Sequence, residues 1–341
     1  MIKMAQLSAI TLLFPGQGSQ TVGMGRDLYD KYPAARAVFQ EADEALGFAL
    51  SKVIFKGPEE TLRQTEHTQP AILTVSTAAA RVLNVALKEH GIAVNFAAGH
   101  SLGEYSAHVA AGTLSFADAV RAVRLRGRYM QQAVPAGEGA MAAVLALDPT
   151  LIAAICEQVT DKLTPLPGDV AAKDFHPKLA VVSAANLNSP GQTVISGSLA
   201  AVEQVSELCK KAGAKKTVML PVSAPFHCAL MQPAQELLAR DLAVVNFHNP
   251  AFPVVANVNA KLITSGDAAR EALVPQVTGA VRWVECIELL VANGASHFVE
   301  VGPGRVLGGL LKQILGKDAA PALNVEDSAS LEKTLAVLTE K

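Results

Sequence analysis

The stretch VNFAAGHSLGEYSAHVAAG has a serine between two glycines, with an apolar run before it and a helical period after it. These segments are residues 94–99 and 102–112, so the pattern around Ser101 predicts a strand, a sharp turn and a helix. Such a turn requires very small neighbours, which Gly99 and Gly103 provide. The free N–H groups at the start of the helix would point at the serine oxygen and stabilise an oxyanion there. The sequence therefore predicts that Ser101 is a nucleophile.

Strand-like apolar runs alternate with helical periods along most of the chain, which favours an α/β fold. Residues 139–217 have a different order, strand–helix–strand–strand–helix–strand, which is the ferredoxin-like pattern. We therefore expect a large α/β domain formed by residues 1–137 and 218–341, with a small domain inserted at 138–217. Within the insert, residues 160–178 contain proline and aspartate and predict a surface excursion of unknown role.

Composition argues against several classes of protein. Half of the 341 residues are apolar and 18% are charged, which is typical of a folded chain. The formal net charge of −2 argues against a nucleic-acid binder. The sequence contains no apolar run of about 18 residues, so we expect no membrane span. The four cysteines are scattered and the histidines show no ligand spacing, so we expect no metal and no disulfide. These features favour a reduced, cytoplasmic protein.

A serine nucleophile needs a base within hydrogen-bond reach and two donors for the oxyanion. Among the eight histidines, His227 has the most suggestive setting, after a strand and a proline-containing turn and before an apolar helix start. His100 and His108 flank the turn, but we expect both to point away from it. The predicted oxyanion donors are the backbone N–H of Leu102 and that of Gln17 in the glycine-rich turn FPGQGSQ.

No carboxylate stands out as a third catalytic group. A backbone carbonyl can orient a histidine through its second nitrogen as a carboxylate does. A pair without a carboxylate would be a weaker base for activating water, which favours transfer over hydrolysis. The carboxylates that remain possible are Asp241, Glu285, Glu300 and Asp327.

Arg126 lies on an unexpected face of the predicted helix at 117–133. At about 100° per residue, three other arginines cluster on the opposite, solvated face. The neighbours of Arg126 are apolar or aromatic: Ala119, Ala122, Val123, Tyr129, Met130 and Ala133. A buried guanidinium must be paired, so its partner is either an internal carboxylate or a substrate carboxylate held by two parallel hydrogen bonds.

A serine, a histidine and a carboxylate-binding arginine describe an enzyme that carries an acyl group with a free acid. The sequence resembles the malonyl-CoA:acyl carrier protein transacylases of fatty acid synthesis and the acyltransferase domains of polyketide synthases. The resemblance runs nearly end to end, through FPGQGSQ, TQPA, GHSLGEYSA, RLRGRYMQ, GAMAAV, NSPGQTVISG, SAPFHCALM, VRWVE and EVGPGRVL. It implies a hydrolase-like large domain with a parallel sheet core, an inserted ferredoxin-like domain, and ping-pong transfer without a cofactor. Malonyl-CoA and coenzyme A would be substrate and product.

The resemblance also implies a role for individual residues. It assigns Ser101 as nucleophile, His227 as base and Arg126 as the malonyl carboxylate binder. Gln17 and Leu102 would give the oxyanion N–H groups.

Further substrate contacts follow from the same resemblance. Gln69 and Asn188 match positions that line the acyl or pantetheine channel, and Met130 is a further candidate contact. Phe226, just before the histidine, suggests malonyl rather than methylmalonyl as the acyl group. A backbone carbonyl from the segment GAVRW, at 279–283, would orient the His227 ring.

The expected partners are malonyl-CoA and acyl carrier protein, with neither nucleic acid nor membrane. The carrier protein is acidic, so a basic surface should contact it. The candidates are Lys210, Lys211, Lys215 and Lys216, although an ordinary solvated charge cluster has the same appearance. Three alternatives to this function remain: a free-standing acyltransferase of a polyketide pathway, a serine hydrolase or esterase, and a non-catalytic subunit that binds carrier protein.

Overall fold

The computed structural model describes residues 9–163, 181–222, 224–316 and 322–340. Within these ranges the chain forms ten strands and fourteen α-helices. The strands are β1 (Ile10–Phe14), β2 (Val94–Gly99), β3 (Gly139–Leu145), β4 (Val182–Ser189), β5 (Gln192–Ser198), β6 (Lys216–Met219), β7 (Val254–Val255), β8 (Leu262–Ile263), β9 (His297–Val301) and β10 (Leu323–Val325).

The helices cover both faces of the larger sheet and one face of the smaller one. They are α1 (Arg26–Lys31), α2 (Pro33–Leu46), α3 (Leu50–Lys56), α4 (Glu59–Arg63), α5 (Thr65–Glu89), α6 (Leu102–Ala110), α7 (Phe116–Ala133), α8 (Pro149–Leu163), α9 (Leu199–Lys211), α10 (Gln232–Ala243), α11 (Gly266–Leu273), α12 (Trp283–Ala292), α13 (Val306–Leu315) and α14 (Ser328–Thr339).

The larger sheet has six strands in the order β10-β9-β1-β2-β7-β8. The neighbours from β10 to β7 are parallel, and only β8 runs antiparallel to its partner. Strand β1, with the continuous apolar sequence ITLLF, lies between β9 and β2 and is buried at every residue. An uninterrupted apolar run is what a parallel strand needs when helices cover both faces of its sheet. The predicted parallel core is confirmed.

The smaller sheet is antiparallel, in the order β4-β5-β3-β6, and helices α8 and α9 pack against it around a separate apolar core. With the chain order strand–helix–strand–strand–helix–strand, this is the predicted ferredoxin-like arrangement, and the fold class is confirmed. The domain bounds stay a prediction. Strand β6 extends to Met219, two positions beyond the expected bound at 217. Of the excursion expected at 160–178, residues 164–178 lie outside the described residues.

Helix α5 begins at Thr65, three residues before the TQPA motif, and accommodates Pro70 within it. The helix is long and apolar enough to cross a membrane by length and composition alone. However, 78% of its most apolar window is buried inside the protein, where it packs against α2 and α7. Such burial is expected of the central helix of a folded domain.

The two sheets meet at the segment that precedes α12. The backbone N–H of Leu187 donates to the carbonyl of Val281 at 2.9 Å, and the N–H of Val281 donates to the carbonyl of Ala185 at 2.8 Å. Strand β4 is therefore joined by main-chain hydrogen bonds to the large domain. The carboxyl ends of β1 and β2 lie beside this junction, and a cavity opens there.

Candidate active site

The turn between β2 and α6 places Ser101 in the left-handed region of backbone conformation, with φ 51° and ψ −107°. Its two glycine neighbours are required by close backbone contacts. A Cβ on Gly99 would lie 1.9 Å from the backbone of Gly103, and a Cβ on Gly103 would lie 2.1 Å from the carbonyl oxygen of Phe14. The packing of β1 against this turn keeps the backbone in its strained conformation. Ser101 therefore lies immediately before the first residue of α6.

Ser101 and His227 form a hydrogen-bonded pair. The distance from Ser101 Oγ to His227 Nε2 is 2.7 Å, and His227 is itself strained, with φ 60°. On the other side of the ring, His227 Nδ1 lies 2.9 Å from the carbonyl oxygen of Gln276 and 3.0 Å from that of Gly279. Two carbonyl acceptors require the proton to be on Nδ1, so Nε2 accepts from the serine hydroxyl. Gly279 belongs to the expected GAVRW segment, whereas Gln276 lies outside it.

The four candidate carboxylates lie elsewhere in the fold. Asp241 accepts a hydrogen bond from the Tyr129 hydroxyl, and Glu285 pairs with Arg282. The other two accept hydrogen bonds at the starts of helices, Glu300 at α13 and Asp327 at α14. Backbone carbonyls therefore take the place of a triad carboxylate.

The electrostatic setting keeps His227 uncharged. Burial, first of all, together with the positive charge of Arg126 and the neighbouring His100, lowers its pKa to about 3. The imidazole is therefore neutral throughout the physiological range, which leaves Nε2 free to accept a proton from Ser101.

Arg126 is 2% exposed and is held by neutral oxygens. Its Nη1 donates to Gln69 Oε1 at 2.7 Å, and its Nη2 donates to Gln276 Oε1 at 3.0 Å and to Ser101 Oγ at 3.2 Å. Among the described residues no carboxylate forms a salt bridge with it. Burial lowers the pKa of the guanidinium. A buried cation with only neutral partners beside the serine oxygen is suited to binding an anionic group.

The turn after β1 packs directly on the serine turn. A Cβ on Gly16 would lie 2.5 Å from the carbonyl oxygen of His100, so only glycine permits this approach. The next residue, Gln17, lines the cavity together with Leu102, and the Gln17 side chain donates to Thr65 Oγ1 at 3.2 Å. The structure brings both residues beside Ser101, and their backbone N–H roles stay a prediction.

The cavity in front of Ser101 has a volume of about 920 Å³. All the predicted site residues except Asn188 line it: Gln17, Gln69, Ser101, Leu102, Arg126, Met130, Phe226 and His227. The lining also includes the apolar residues Met141, Leu220 and Val222 and the polar residues Glu59, Glu60, Arg63, Gln64 and Gln131. A long polar substrate with a reactive end would fit this shape.

The structure differs from the expectations for His100 and Asn188. His100 lines the cavity instead of pointing away, and its Nε2 lies 2.8 Å from Asn188 Oδ1, so Asn188 stands behind His100. His100 lies in the turn after β2, where the alternation of side chains along a strand no longer decides which way a residue points. His108 is fully buried and its ring has no hydrogen-bond partner among the described residues.

Three residues of the site were not singled out from the sequence: Glu104, Asn257 and Gln276. Asn257 follows β7 at the edge where the carboxyl ends of parallel strands gather, which is a signal that sequence reasoning can use. Glu104 is a charged residue in an apolar helix, the same kind of signal that identified Arg126. Gln276 has no comparable signal. As for metals, in the part of the chain that the structure describes no group of three His, Cys, Asp or Glu could hold one.

Comparison with known proteins gives consistent matches over nearly the whole chain. The profile of the family described as the acyl transferase domain matches residues 11–332. The malonyl CoA-acyl carrier protein transacylase of Escherichia coli strain K12 is 48% identical over 318 residues, which are 93% of this chain and 96% of that protein. The transacylase of the same name from Bacillus subtilis strain 168 is 46% identical over 335 residues, 98% of this chain and 99% of that protein.

Solved structures agree with these sequence matches. A malonyl-transacylase in complex with its type II PKS acyl-carrier protein is similar in structure, with a TM-score of 0.86 and 44% sequence identity. The match covers 97% of this chain and 100% of that one. The similarity therefore extends over both sheets.

Proposed function

Because the chain belongs to the acyl transferase domain family, we propose that it transfers the malonyl group from malonyl-CoA to the pantetheine thiol of acyl carrier protein, in fatty acid synthesis. The observation that carries the proposal is the position of Arg126. Its Nη2 lies 3.2 Å from the oxygen of a serine that is hydrogen-bonded to a neutral histidine, and it forms no salt bridge among the described residues. A nucleophile beside an unpaired cation is suited to an acyl group with a carboxylate.

The first half-reaction loads the serine. His227 Nε2 takes the proton of Ser101 Oγ, which attacks the malonyl thioester carbonyl. The oxyanion accepts hydrogen bonds from the backbone N–H groups of Leu102 and Gln17. As the tetrahedral intermediate collapses, the C–S bond breaks and His227 returns the proton to the sulfur of coenzyme A. A malonyl-serine ester remains.

The second half-reaction repeats these steps with another nucleophile. The pantetheine thiol of acyl carrier protein gives its proton to His227 Nε2, and the sulfur attacks the malonyl ester. The Oγ of Ser101 leaves and recovers the proton. Over the two half-reactions the malonyl group moves from one thiol to the other, and Ser101 and His227 return to their starting states. The reaction therefore calls for no cofactor.

Arg126 supplies the selectivity for malonyl over acetyl groups. A malonyl carboxylate forms charge-assisted hydrogen bonds with the guanidinium. An acetyl group leaves the same buried cation without an anion, and that loss disfavours the transition state. Gln69 and Gln276 hold the guanidinium in place through their amide oxygens.

Two alternatives concern the group that accepts the acyl chain. A serine hydrolase would transfer it to water, but a histidine oriented by carbonyls is a weaker base for activating water than one paired with a carboxylate. In a polyketide pathway the acceptor would be a different carrier protein. This pathway is the second candidate, because a similar malonyl-transacylase has been solved in complex with a type II PKS acyl-carrier protein. Transfer rates to fatty acid and polyketide carrier proteins, measured side by side, distinguish the two pathways.

The test of the proposal is intact-protein mass after brief mixing with malonyl-CoA or acetyl-CoA. We expect one malonyl adduct on the parent protein and a weak acetyl adduct. The Ser101→Ala variant should give none, whereas Ser106→Ala, a matched change in the same helix, should load like the parent. Malonate release without an adduct would support a hydrolase, and the absence of any reaction would overturn the proposed function.

We also propose that acyl carrier protein docks on the four lysines at the end of α9 and the start of β6, namely Lys210, Lys211, Lys215 and Lys216. Lys210 already pairs with Glu207 at 2.6 Å on the exposed surface. Charge reversal of all four should raise the KM for carrier protein and leave acylation by malonyl-CoA unchanged. Reversal of the exposed Lys333 on α14 is the control, and an unchanged KM in the fourfold variant would exclude this docking surface.

The compartment is part of the same proposal. All four cysteines are buried and free, which is compatible with a reducing cytoplasm, where malonyl-CoA and carrier protein would be available. Fractionation of cells that express the chain, with malonyl transfer as the assay, tests this expectation.

A further inference from the structure

Glu104 is a fully buried carboxylate one turn along α6 from Ser101. Its Oε2 accepts two hydrogen bonds, from the backbone N–H of Asn257 at 2.9 Å and from Gln276 Nε2 at 2.8 Å. Among the described residues, its Oε1 has no hydrogen-bond partner and Glu104 forms no salt bridge. The charge of Arg126 acts on it from a longer distance. All of its hydrogen bonding is therefore directed to two residues that themselves contact the nucleophile.

The first of these residues, Gln276, connects Glu104 to Ser101, Arg126 and His227. Its Nε2 donates to Glu104 and also to the carbonyl oxygen of Ser101, at 2.9 Å. Its Oε1 accepts from Arg126, and its backbone carbonyl accepts from His227. A carboxylate can only accept and a guanidinium can only donate, so both are satisfied by one orientation of the amide.

The second residue, Asn257, holds the other side of the nucleophile. Its Oδ1 accepts from the backbone N–H of Ser101 at 2.7 Å, and its Nδ2 donates to the carbonyl oxygen of Gly99 at 2.8 Å. The N–H and the carbonyl of the strained serine are therefore held by two side chains, and Glu104 accepts from both of those residues. Without Glu104, two buried donors would lose their acceptor and would have to move to find another.

We propose that Glu104 is a positioning residue for malonyl transfer: it fixes Gln276 and Asn257, and through them Arg126 and the main chain of Ser101. This inference rests on the proposed function, because Glu104 can affect malonyl selection only if Arg126 binds the malonyl carboxylate. Glu104 does not touch the substrate. Its contribution is the geometry of the residues that do.

The experiment compares three variants that separate the acceptor from the charge. Glu104→Gln keeps an oxygen acceptor and removes the charge, Glu104→Met removes the acceptor at similar length, and Glu104→Asp withdraws the carboxylate by one methylene. Acylation rates with malonyl-CoA and acetyl-CoA are measured for each variant, with thermal unfolding as a check on folding. Val205→Ala, a change in the core of the smaller sheet, controls for a general loss of stability.

We expect Glu104→Met to lower the malonyl acylation rate by about 10- to 100-fold, with a smaller loss for acetyl, so that the malonyl:acetyl ratio falls. Glu104→Gln should restore most of the rate and the ratio, and Val205→Ala should leave the ratio unchanged. If the Met variant does not fold, the Asp variant carries the same expectation.

A folded Met or Asp variant with the parent's ratio would overturn the inference, and so would a Gln variant that loses as much as the Met variant. A parent protein that forms no malonyl adduct would overturn the proposed function instead. The two failures are therefore distinguishable.

Discussion

Two strand–turn–helix units flank β1 in the central sheet, β2–α6 on one side and β9–α13 on the other. The first turn is short and places a serine in the left-handed region, at φ 51°. The second turn, at residues 302–305, is longer and uses glycines for its positive φ values, 131° at Gly302 and 82° at Gly304. Glycine adopts such angles without strain, whereas serine does not. The same topology is therefore relaxed in one unit and strained in the other, where the reacting group lies.

Each unit also buries a carboxylate. Burial raises the pKa of Glu104 to about 7 and the pKa of Glu300 to about 7. Glu300 accepts from the backbone N–H groups of Leu307 and Gly308, which begin α13. Glu104 instead receives hydrogen bonds from residues that contact the nucleophile. A raised pKa alone does not distinguish a structural carboxylate from one in an active site, since the contacts differ and the pKa values do not.

The largest expected effect concerns Arg126, which lies on α7 and contacts the serine of the first unit. Arg126→Ala should lower malonyl transfer by about 100- to 10,000-fold, because two charge-assisted hydrogen bonds are worth roughly 1.5 to 3 kcal/mol each. Acetyl transfer should change much less. Steady-state rates with both thioesters measure the effect.

The matched control for this change lies in the second unit. Arg305, at the start of α13, is exposed and pairs with Glu326, so Arg305→Ala should leave both rates unchanged. Equal losses for malonyl and acetyl in the Arg126 variant would mean that the arginine does not select the carboxylate.

A second difference concerns glycines in the two helices. A Cβ at Gly103 would lie 2.1 Å from the carbonyl oxygen of Phe14, so Gly103→Ala should lower the free energy of unfolding by at least about 3 kcal/mol. Gly309, in α13, has nothing within 4 Å of its Cβ position. Gly309→Ala should therefore raise the free energy of unfolding by about 0.5 to 1 kcal/mol. Denaturant unfolding of both variants measures this, and similar effects in both would contradict the comparison.

The sequence was informative wherever the signal is local. The bounds of β2 are those expected, 94–99, because an apolar run ending in glycine and serine is a local pattern. Arg126 was identified because helical periodicity places a charge among apolar neighbours. These features depend on residues within a few positions of each other along the chain.

The partners of Ser101 could not be predicted in the same way. Asn257 and Gln276 are 156 and 175 positions away from it in sequence. Their contacts arise when β7 and the turn before α12 pack against β2, and neither hydrophobic periodicity nor turn chemistry reports such packing. The position of Asn188 behind His100 has the same cause, since it depends on how the smaller sheet meets the larger one.

The two carboxylates also give a prediction for pH. Each has a folded pKa of about 7, above the ordinary value of 4.5, so the folded state binds more protons between these pH values. The free energy of unfolding therefore falls as the pH rises through this window, by up to about 3 kcal/mol for each group. Glu104→Gln and Glu300→Gln should each gain stability relative to the parent between pH 5 and pH 8.

Thermal unfolding across this pH range measures the gain. Glu300→Gln should in addition keep the parent's malonyl:acetyl ratio. A constant difference between variant and parent at all pH values would show that the replaced carboxylate does not titrate in this window.

The smallest expected effect concerns acyl-group preference. Of the two units, only β2–α6 contributes residues to the cavity lining. Phe226 is 8% exposed and lines the cavity beside His227, whereas Phe298 on β9 is buried away from it. Phe226→Ser removes bulk where an additional methyl group on the acyl chain would lie, so the preference for malonyl over methylmalonyl should fall by about 10-fold, the usual worth of a methyl-sized change in a pocket. Phe298→Leu should lower stability and leave the preference unchanged. Competition between the two thioesters measures the ratio directly, and an unchanged preference in the Phe226 variant would assign the selection to another wall of the cavity.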